Sequence, residues 1–177
     1  NAKFEKVSIE EGLSNEYVTS IFQDSKGYIW IGTKDGLNRF DGEKVKIYNC
    51  NAEDKNSLSS TYINDIEEDV NGNIWIATDS GLDFLVTDSD TITRMKDMEI
   101  DKYNLGNLKI TSLLKSEQEE HIMWVGTEKG LIKVDVLKNR MEAFYHNEND
   151  SNSLTNSYIT CLENGENNTL WVGTKRG

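Results

Sequence analysis

The residues best suited to chemistry in this chain are two histidines, two cysteines and a few paired carboxylates. His121 and His146 lie far apart, and neither has a third ligand at the spacing of a metal site. Cys50 and Cys161 show no metal-ligand spacing either, and the sequence alone leaves open whether they form a disulfide. We therefore interpret the histidines as exposed loop residues, and we expect no metal and no cofactor.

Adjacent carboxylates could supply an acid and a base, but their positions favour a simpler role. Glu67 with Glu68, and Glu119 with Glu120, fall at predicted strand ends or turns, where solvated charge is the expected role. Residues 69–73 resemble a calcium loop, yet the glycine comes too early and no glutamate closes the series. An Asp followed by a Gly three residues later instead indicates a type I hairpin turn. No nucleophile elbow or glycine-rich phosphate loop is present, so the sequence predicts a protein that is not an enzyme.

A repeat marked by tryptophan must position all of these side chains. Each of the four tryptophans begins the same phrase, in which Thr follows three residues later and Gly three residues after that. The intervals between the tryptophans are 45, 49 and 47 residues, which suits the four-stranded blades of a β-propeller. The repeated positions with a predicted structural role are Trp30, Trp75, Trp124, Trp171, Gly36, Gly81 and Gly130.

Each repeat predicts four antiparallel strands, named A to D. Strand A carries apolar residues three apart, such as Val18 and Ile21, a spacing that alone could also indicate a helical turn. The repeat favours a strand, because a propeller sheet lies between two neighbouring sheets and is buried on both faces. Strand B contains the tryptophan and strand C follows the glycine. Strand D is predicted at residues 45–48, 92–95 and 141–145.

The repeats divide the chain into an open arc of about three and a half blades. Residues 1–2 resemble the remnant of a cleaved tag, and residues 3–9 are predicted to contain the D-like strand of a preceding or closing blade, at residues 4–9. Blades one, two and three are predicted at residues 10–48, 49–96 and 97–145, and the first half of a fourth at residues 146–177. The predicted fold class is all-β, a β-propeller fragment of four-stranded antiparallel blades.

Charge and hydropathy limit the partners of this segment. The 19 basic and 31 acidic residues give a net charge of −12, which repels nucleic acid phosphates and anionic lipids, so we expect no nucleic acid partner. No apolar run approaches the roughly 20 residues of a membrane span, so we expect no direct membrane insertion. An open arc exposes a strand edge and a flat apolar face at each end, and we therefore predict self-association through the open blade ends.

Several motifs resemble the repeat of the bacterial two-component regulator propeller family. They are Gly12-Leu13-Ser14, the turn at residues 24–27, the phrase at residues 30–33 and the segment at residues 36–42. Blades two and four resemble the repeat well, and blade three more loosely because residues 116–121 lengthen its A–B turn. The resemblance implies a propeller of roughly seven blades that forms the extracytoplasmic sensing part, periplasmic or at the cell surface, of a membrane-anchored histidine kinase, hybrid sensor or diguanylate cyclase.

The D–A and B–C loops of a propeller share one rim, where we predict the binding site of a non-catalytic sensor. Tyrosine beside amide and charged groups could stack on and hydrogen-bond a saccharide or another extracellular small solute. A protein-interaction or dimerisation scaffold is the alternative, and a propeller lyase or hydrolase is a further one. The predicted rim residues are Asn15, Tyr17, Lys34, Asp35, Ser60, Tyr62, Asp79, Glu128, Lys129, Asn156, Tyr158, Lys175 and Arg176.

Overall fold

The computed structural model describes residues 6–98 and 102–177, and this part of the chain is all-β apart from short 3-10 helices. Its strands form three four-stranded antiparallel sheets and one two-stranded sheet, each in sequence order. The strands are β1 (Val18–Gln23), β2 (Ile29–Thr33), β3 (Gly36–Phe40), β4 (Val45–Tyr48), β5 (Ile63–Glu68), β6 (Ile74–Thr78), β7 (Gly81–Val86), β8 (Thr91–Arg94), β9 (Ile110–Lys115), β10 (Ile122–Thr127), β11 (Leu131–Asp135), β12 (Arg140–Phe144), β13 (Ile159–Gly165) and β14 (Thr169–Thr174).

These sheets are the predicted blades, and the arc is open. Strand β4 has the predicted bounds, whereas β8 and β12 each begin and end one residue earlier than predicted. In blade two the difference arises because Met95 begins a 3-10 helix, Met95–Asp97, rather than ending the strand. The all-β prediction is confirmed, and the helical alternative for strand A is wrong in all four blades.

The predicted strand at residues 4–9 is wrong in its described part. Residues 4 and 5 lie outside the described residues, and Ile9–Glu11 form a 3-10 helix. Ser8 is the N-cap of this helix: its backbone N–H donates to the Glu11 carboxylate at 2.7 Å, and its Oγ accepts from Glu10 N at 3.2 Å. Ser followed three residues later by Glu is a capping box, a signal that competes with an extended strand.

Neighbouring blades approach most closely at their A and B strands. A Cβ added to Gly32 in β2 would lie 2.8 Å from the side chain of Ile63 in β5, and one added to Gly126 would lie 2.8 Å from Ile159 in β13. Asp65 of β5 ties three blades together, because its carboxylate accepts from Leu113 N at 2.8 Å and from Ser20 Oγ at 3.2 Å. The glycine two residues after the tryptophan therefore leaves space for a side chain of the next blade.

Two apolar cores fill the spaces between the first three sheets. Trp30, Leu37 and Leu58 belong to a cluster between sheets one and two, and Trp75 and Val125 belong to a cluster between sheets two and three. A buried tryptophan removes roughly 150–250 Å² from water, so these rings are a large part of the packing energy.

The A–B turns of blades one and two hold the tryptophans through a carboxylate. Asp24 accepts from Tyr28 N at 2.9 Å and from Trp30 Nε1 at 2.8 Å, and Asp69 accepts from Asn73 N at 3.0 Å and from Trp75 Nε1 at 3.0 Å. The hairpin interpretation of residues 69–73 is therefore confirmed, because the Asp69 carboxylate accepts hydrogen bonds from its own turn.

Candidate ligand-binding rim

One rim of the arc is built the same way in all four blades. In each blade the backbone N–H of the first residue of the B–C turn donates to the carbonyl oxygen of the residue just before strand A. Lys34 donates to the Tyr17 carbonyl at 3.3 Å, and Lys175 donates to the Tyr158 carbonyl at 3.0 Å. Asp79 donates to Tyr62 at 3.3 Å, and Glu128 donates to Lys109 at 3.2 Å. We call these eight residues the loop rim. The repeat therefore fixes the pairing of side chains whose chemistry differs between blades.

Each tyrosine of the loop rim has a lysine ammonium over its ring. Lys34 Nζ lies 3.5 Å from the Tyr17 ring centroid, and Lys175 Nζ lies 5.0 Å from that of Tyr158. The third lysine is Lys109 of blade three, whose Nζ lies 5.7 Å from the ring centroid of Tyr62. Cation–π attraction holds ammonium groups at ring faces in this way. Tyr17 is 53% exposed, so one of these pairs is open to solvent.

The centre of the loop rim is an ion pair between two blades. Lys109 Nζ lies 2.6 Å from Asp79 Oδ1, and this hydrogen bond raises the pKa of Lys109. Asn64 of β5 supports the pair, because its Nδ2 donates to Asp79 Oδ1 at 2.9 Å and to the Ile110 carbonyl at 2.8 Å. The rim prediction omitted Lys109 and Asn64. A usable signal existed for Lys109, since it occupies the tyrosine position of the repeat.

The other predicted rim residues play different parts. Asn15, Ser60 and Asn156 accept the backbone N–H of the tyrosine two residues later, at 2.8, 3.2 and 2.9 Å, so their oxygens shape the loop. At the tips of the B–C turns lie the exposed side chains of Asp35, Lys129 and Arg176, beside the half-buried Glu128. The tyrosines, lysines and Asp79 are therefore the groups that the loop rim brings together.

The histidines and cysteines lie outside the loop rim's pairs. His121 Nε2 is 3.9 Å from Asp135 Oδ2, and His146 Nδ1 is 2.6 Å from the Leu154 carbonyl oxygen. Both cysteines are free thiols. Among the residues that the structure describes, no group of three His, Cys, Asp or Glu side chains is placed to hold a metal ion.

Comparison with known proteins identifies the repeat. The sequence model described as two component regulator propeller matches residues 12–35, 57–80 and 153–176. These three segments are two-component regulator propeller repeats. The three matches fall in blades one, two and four, in agreement with the looser resemblance predicted for blade three.

Two solved structures extend the similarity over nearly the whole chain. Both are extracellular domains of hybrid two-component systems from B. thetaiotaomicron. The first is 26% identical with a TM-score of 0.78, over 96% of this chain and 24% of that one. The second is 23% identical with a TM-score of 0.74, over 93% of this chain and 21% of that one, and shows the fold alone. The chain thus spans less than a quarter of the length of these two extracellular domains.

The match to one curated relative covers a shorter stretch of this chain, but the sequence identity over that stretch is higher. It is the histidine kinase P4 of Formosa agariphila, which is 47% identical over 57 residues, or 32% of this chain and 4% of that protein. Virginiamycin B lyase from Staphylococcus aureus shares the fold alone, at 16% identity and a TM-score of 0.61 over 88% of this chain and 48% of that one. Within the described residues, no helix is long and apolar enough to span a membrane. This is a propeller domain related to the sensor domains of hybrid two-component systems.

Proposed function

We propose that this chain is the non-catalytic, ligand-sensing input part of a bacterial transmembrane signalling protein, and that it works outside the cytoplasm. The observation that carries the proposal is the loop rim, where three tyrosines each pair with a lysine along one edge of the arc. The similarity to extracellular domains of hybrid two-component systems supports the compartment and the signalling role.

The ligand class that suits the loop rim is a saccharide or another small polar solute. Tyrosine rings offer apolar faces and a hydroxyl, so they stack on sugar rings and hydrogen-bond their substituents. The ammonium of Lys34 or Lys175 can donate to hydroxyl oxygens, and the Asp79 carboxylate can accept from hydroxyl groups. The mixed charge of the rim favours a polyhydroxylated ligand over a purely anionic or cationic one.

Two half-buried carboxylates of strand β5, Asp65 and Glu67, support a non-catalytic role. Burial raises the pKa of both Asp65 and Glu67. These groups nonetheless accept backbone hydrogen bonds from the next blade, Asp65 from Leu113 N at 2.8 Å and Glu67 from Lys115 N at 3.3 Å. A general acid or base must reach its substrate, whereas these two join neighbouring sheets.

Thermal-shift measurements with a panel of mono- and oligosaccharides and short peptides test the proposal. We expect at least one solute to raise the melting temperature, and the double variant Tyr17→Ala, Tyr158→Ala to lose that rise. Tyr28→Ala is the matched control, because Arg39 Cζ also stacks on this ring, at 4.8 Å, but at the opposite rim. If no solute stabilises the chain, or if Tyr28→Ala loses the rise equally, the loop rim is not the binding site.

Self-association through the open blade ends is a second proposal, and it belongs to the scaffold alternative. Two large apolar side chains at opposite ends of the arc are exposed, Ile21 by 69% and Trp171 by 66%. Exposed apolar surface of this kind favours association. Light scattering at micromolar concentration should then report a species larger than the monomer, and a strict monomer contradicts this proposal.

A further inference from the structure

All four methionines of this chain lie where sheets two and three meet. Met95 and Met123 are buried in the apolar cluster between these sheets, and Met98 and Met141 pack against it. The cluster between sheets one and two is therefore built without methionine. Methionine is unbranched and has a polarizable thioether, so it fills irregular space and adapts to a neighbouring group. The space between sheets two and three is thus the one better able to repack around a bound molecule.

A pocket of about 210 Å³, here called the interblade pocket, lies between sheets two and three. Trp75 and Phe84 form one part of its wall, with ring centroids 4.7 Å apart and the rings edge-on. The other apolar side chains of the wall are Val86, Met95, Met98, Val134, Val136 and Met141. An apolar cavity of about 150 Å³ is enough to bind benzene. The interblade pocket therefore matches one aromatic ring with a small substituent.

Polar groups fill the equivalent space between sheets one and two. Arg39 and Phe84 occupy the same position of the repeat, each opposite the tryptophan of its own sheet. Arg39 Nη1 lies 3.6 Å from Asp90 Oδ1, and the Tyr48 hydroxyl donates to the same oxygen at 2.5 Å. In sheet three Asn139 takes the place of Asp90, and their φ angles are 53° and 54°. The exchange of this polar cluster for apolar residues leaves the pocket between sheets two and three.

The exposed part of the interblade pocket is polar. Asn71 and Asn139 are exposed lining residues, and a side-chain amide can both donate and accept hydrogen bonds. The Asp69 carboxylate also lines the pocket, where it accepts from Trp75 Nε1 at 3.0 Å. Among the described residues of the lining, none is a lysine or an arginine. A carboxylate without a cation beside it repels an anion, so the pocket suits a neutral ligand.

We propose that the interblade pocket binds a small neutral aromatic molecule with one hydrogen-bonding substituent, the chemical class of a substituted phenol. The ring lies beside Trp75 and Phe84, and the substituent hydrogen-bonds the amide of Asn71 or Asn139. The methionines adjust around the ring, because a thioether sulfur makes favourable contacts with aromatic groups. The pocket is lined by A–B and C–D turn residues, whereas the loop rim consists of D–A and B–C residues. Its failure therefore leaves the proposed function untouched.

The test is a titration of the chain with p-cresol, followed by NMR of isotope-labelled methionine methyl groups. Met95, Met98 and Met141 line the interblade pocket and Met123 does not, so the four signals contain their own control. Single Met→Leu variants assign them. We expect saturable shifts of the three lining methyl signals and a smaller shift of the Met123 signal. The absence of shifts at millimolar p-cresol, or equal shifts of all four signals, overturns the proposal.

Two variants and two further probes define the site and its ligand class. Val136→Trp narrows the pocket, and Phe84→Arg with Asn139→Asp introduces the polar groups found between sheets one and two. Both should abolish the shifts, with circular dichroism confirming that each variant is folded. Full binding by either folded variant overturns the assignment to this pocket.

Benzoate has a ring of the same size and a negative charge, so it should bind at least about tenfold more weakly than p-cresol, because its carboxylate approaches that of Asp69. Cyclohexanol keeps the hydroxyl group without the aromatic ring and should also bind more weakly. Benzoate binding equal to that of p-cresol overturns the neutral class, and cyclohexanol binding equal to that of p-cresol overturns the aromatic class.

Discussion

Sheet two and the last hairpin carry the same tryptophan phrase in opposite surroundings. Trp75 is 3% exposed, with its Nε1 bonded to Asp69 and its ring edge-on to Phe84 at 4.7 Å. Trp171 is 66% exposed, although β13 and β14 pair in the same register with the same bulge. The phrase therefore specifies a hairpin, and the neighbouring sheets determine whether its indole ring is buried. Four experiments can sharpen or break this comparison.

The tryptophans themselves should give the largest difference. We expect Trp75→Ala to lower the free energy of unfolding by about 3–5 kcal/mol, because it removes a large buried side chain and leaves a cavity. Trp171→Ala should cost less than about 1 kcal/mol, as exposed positions do. Urea denaturation followed by circular dichroism measures both. Equal losses would show that burial of the ring is not what separates the two regions.

The next largest effect is a pH dependence that originates at Asp83. Burial raises the pKa of this carboxyl from 3.8 to about 6, and its Oδ1 has no hydrogen-bond partner. Because the pKa is higher in the folded state, the stabilising contribution is complete below about pH 4 and is lost as the pH rises through about 6. The rise in pKa corresponds to about 3 kcal/mol lost by pH 8.

Blade one provides the control for this pH dependence. Asn38 stands where blade two has Asp83; its Nδ2 donates to the Ile31 carbonyl at 3.0 Å and its Oδ1 accepts from Ser14 N at 2.8 Å. We therefore expect Asp83→Asn to flatten the stability profile between pH 4 and 8, and Asn38→Asp to steepen it. Unfolding free energies measured at several pH values test this, and a profile unchanged by Asp83→Asn assigns the dependence to other carboxyls.

Removal of the Asp69 carboxylate from the A–B turn of blade two should lower the free energy of unfolding by an intermediate amount. Asp69→Ala leaves Trp75 Nε1 and two backbone N–H groups without their acceptor, so we expect a loss of about 2 kcal/mol. Ser116→Ala in blade three is the matched variant, because Ser116 Oγ accepts one turn amide, from Glu119 at 3.2 Å, and should cost less than about 1 kcal/mol. Thermal unfolding of the two variants measures both losses of stability. A larger loss for Ser116→Ala than for Asp69→Ala would contradict this prediction.

The smallest effect should come from the rim ion pair. Lys109→Met removes an interaction between partly exposed groups, so the stability should fall by only about 0.5 kcal/mol, and less at high salt. Denaturation at low and at high salt concentration checks this. A loss above about 2 kcal/mol would show that Lys109 has a structural role between blades two and three rather than a role at a binding surface.

Much of the fold followed from the sequence because the repeat supplied independent copies of one pattern. The strand containing each tryptophan, the turn glycine at position 36 and the rim position of Tyr17 were predicted from aligned phrases. The side-chain bonds between distant segments were not. Arg94 was assigned only as part of a strand, since its partners lie about 40 residues earlier in the chain, and nothing local indicates that a loop closes around its guanidinium.

The sequence by itself determined the blades, their antiparallel order and the common rim, because the spacing of the repeated phrases and the turn residues are local properties of each repeat. Tertiary structure alone decided which equivalent residues differ in role. It buried Trp75 and exposed Trp171, raised the pKa of Asp83, and brought Lys109 onto Asp79. The physical reason is that burial, dielectric environment and ion pairing depend on the neighbouring sheet, and the repeat pattern contains no information about that neighbour.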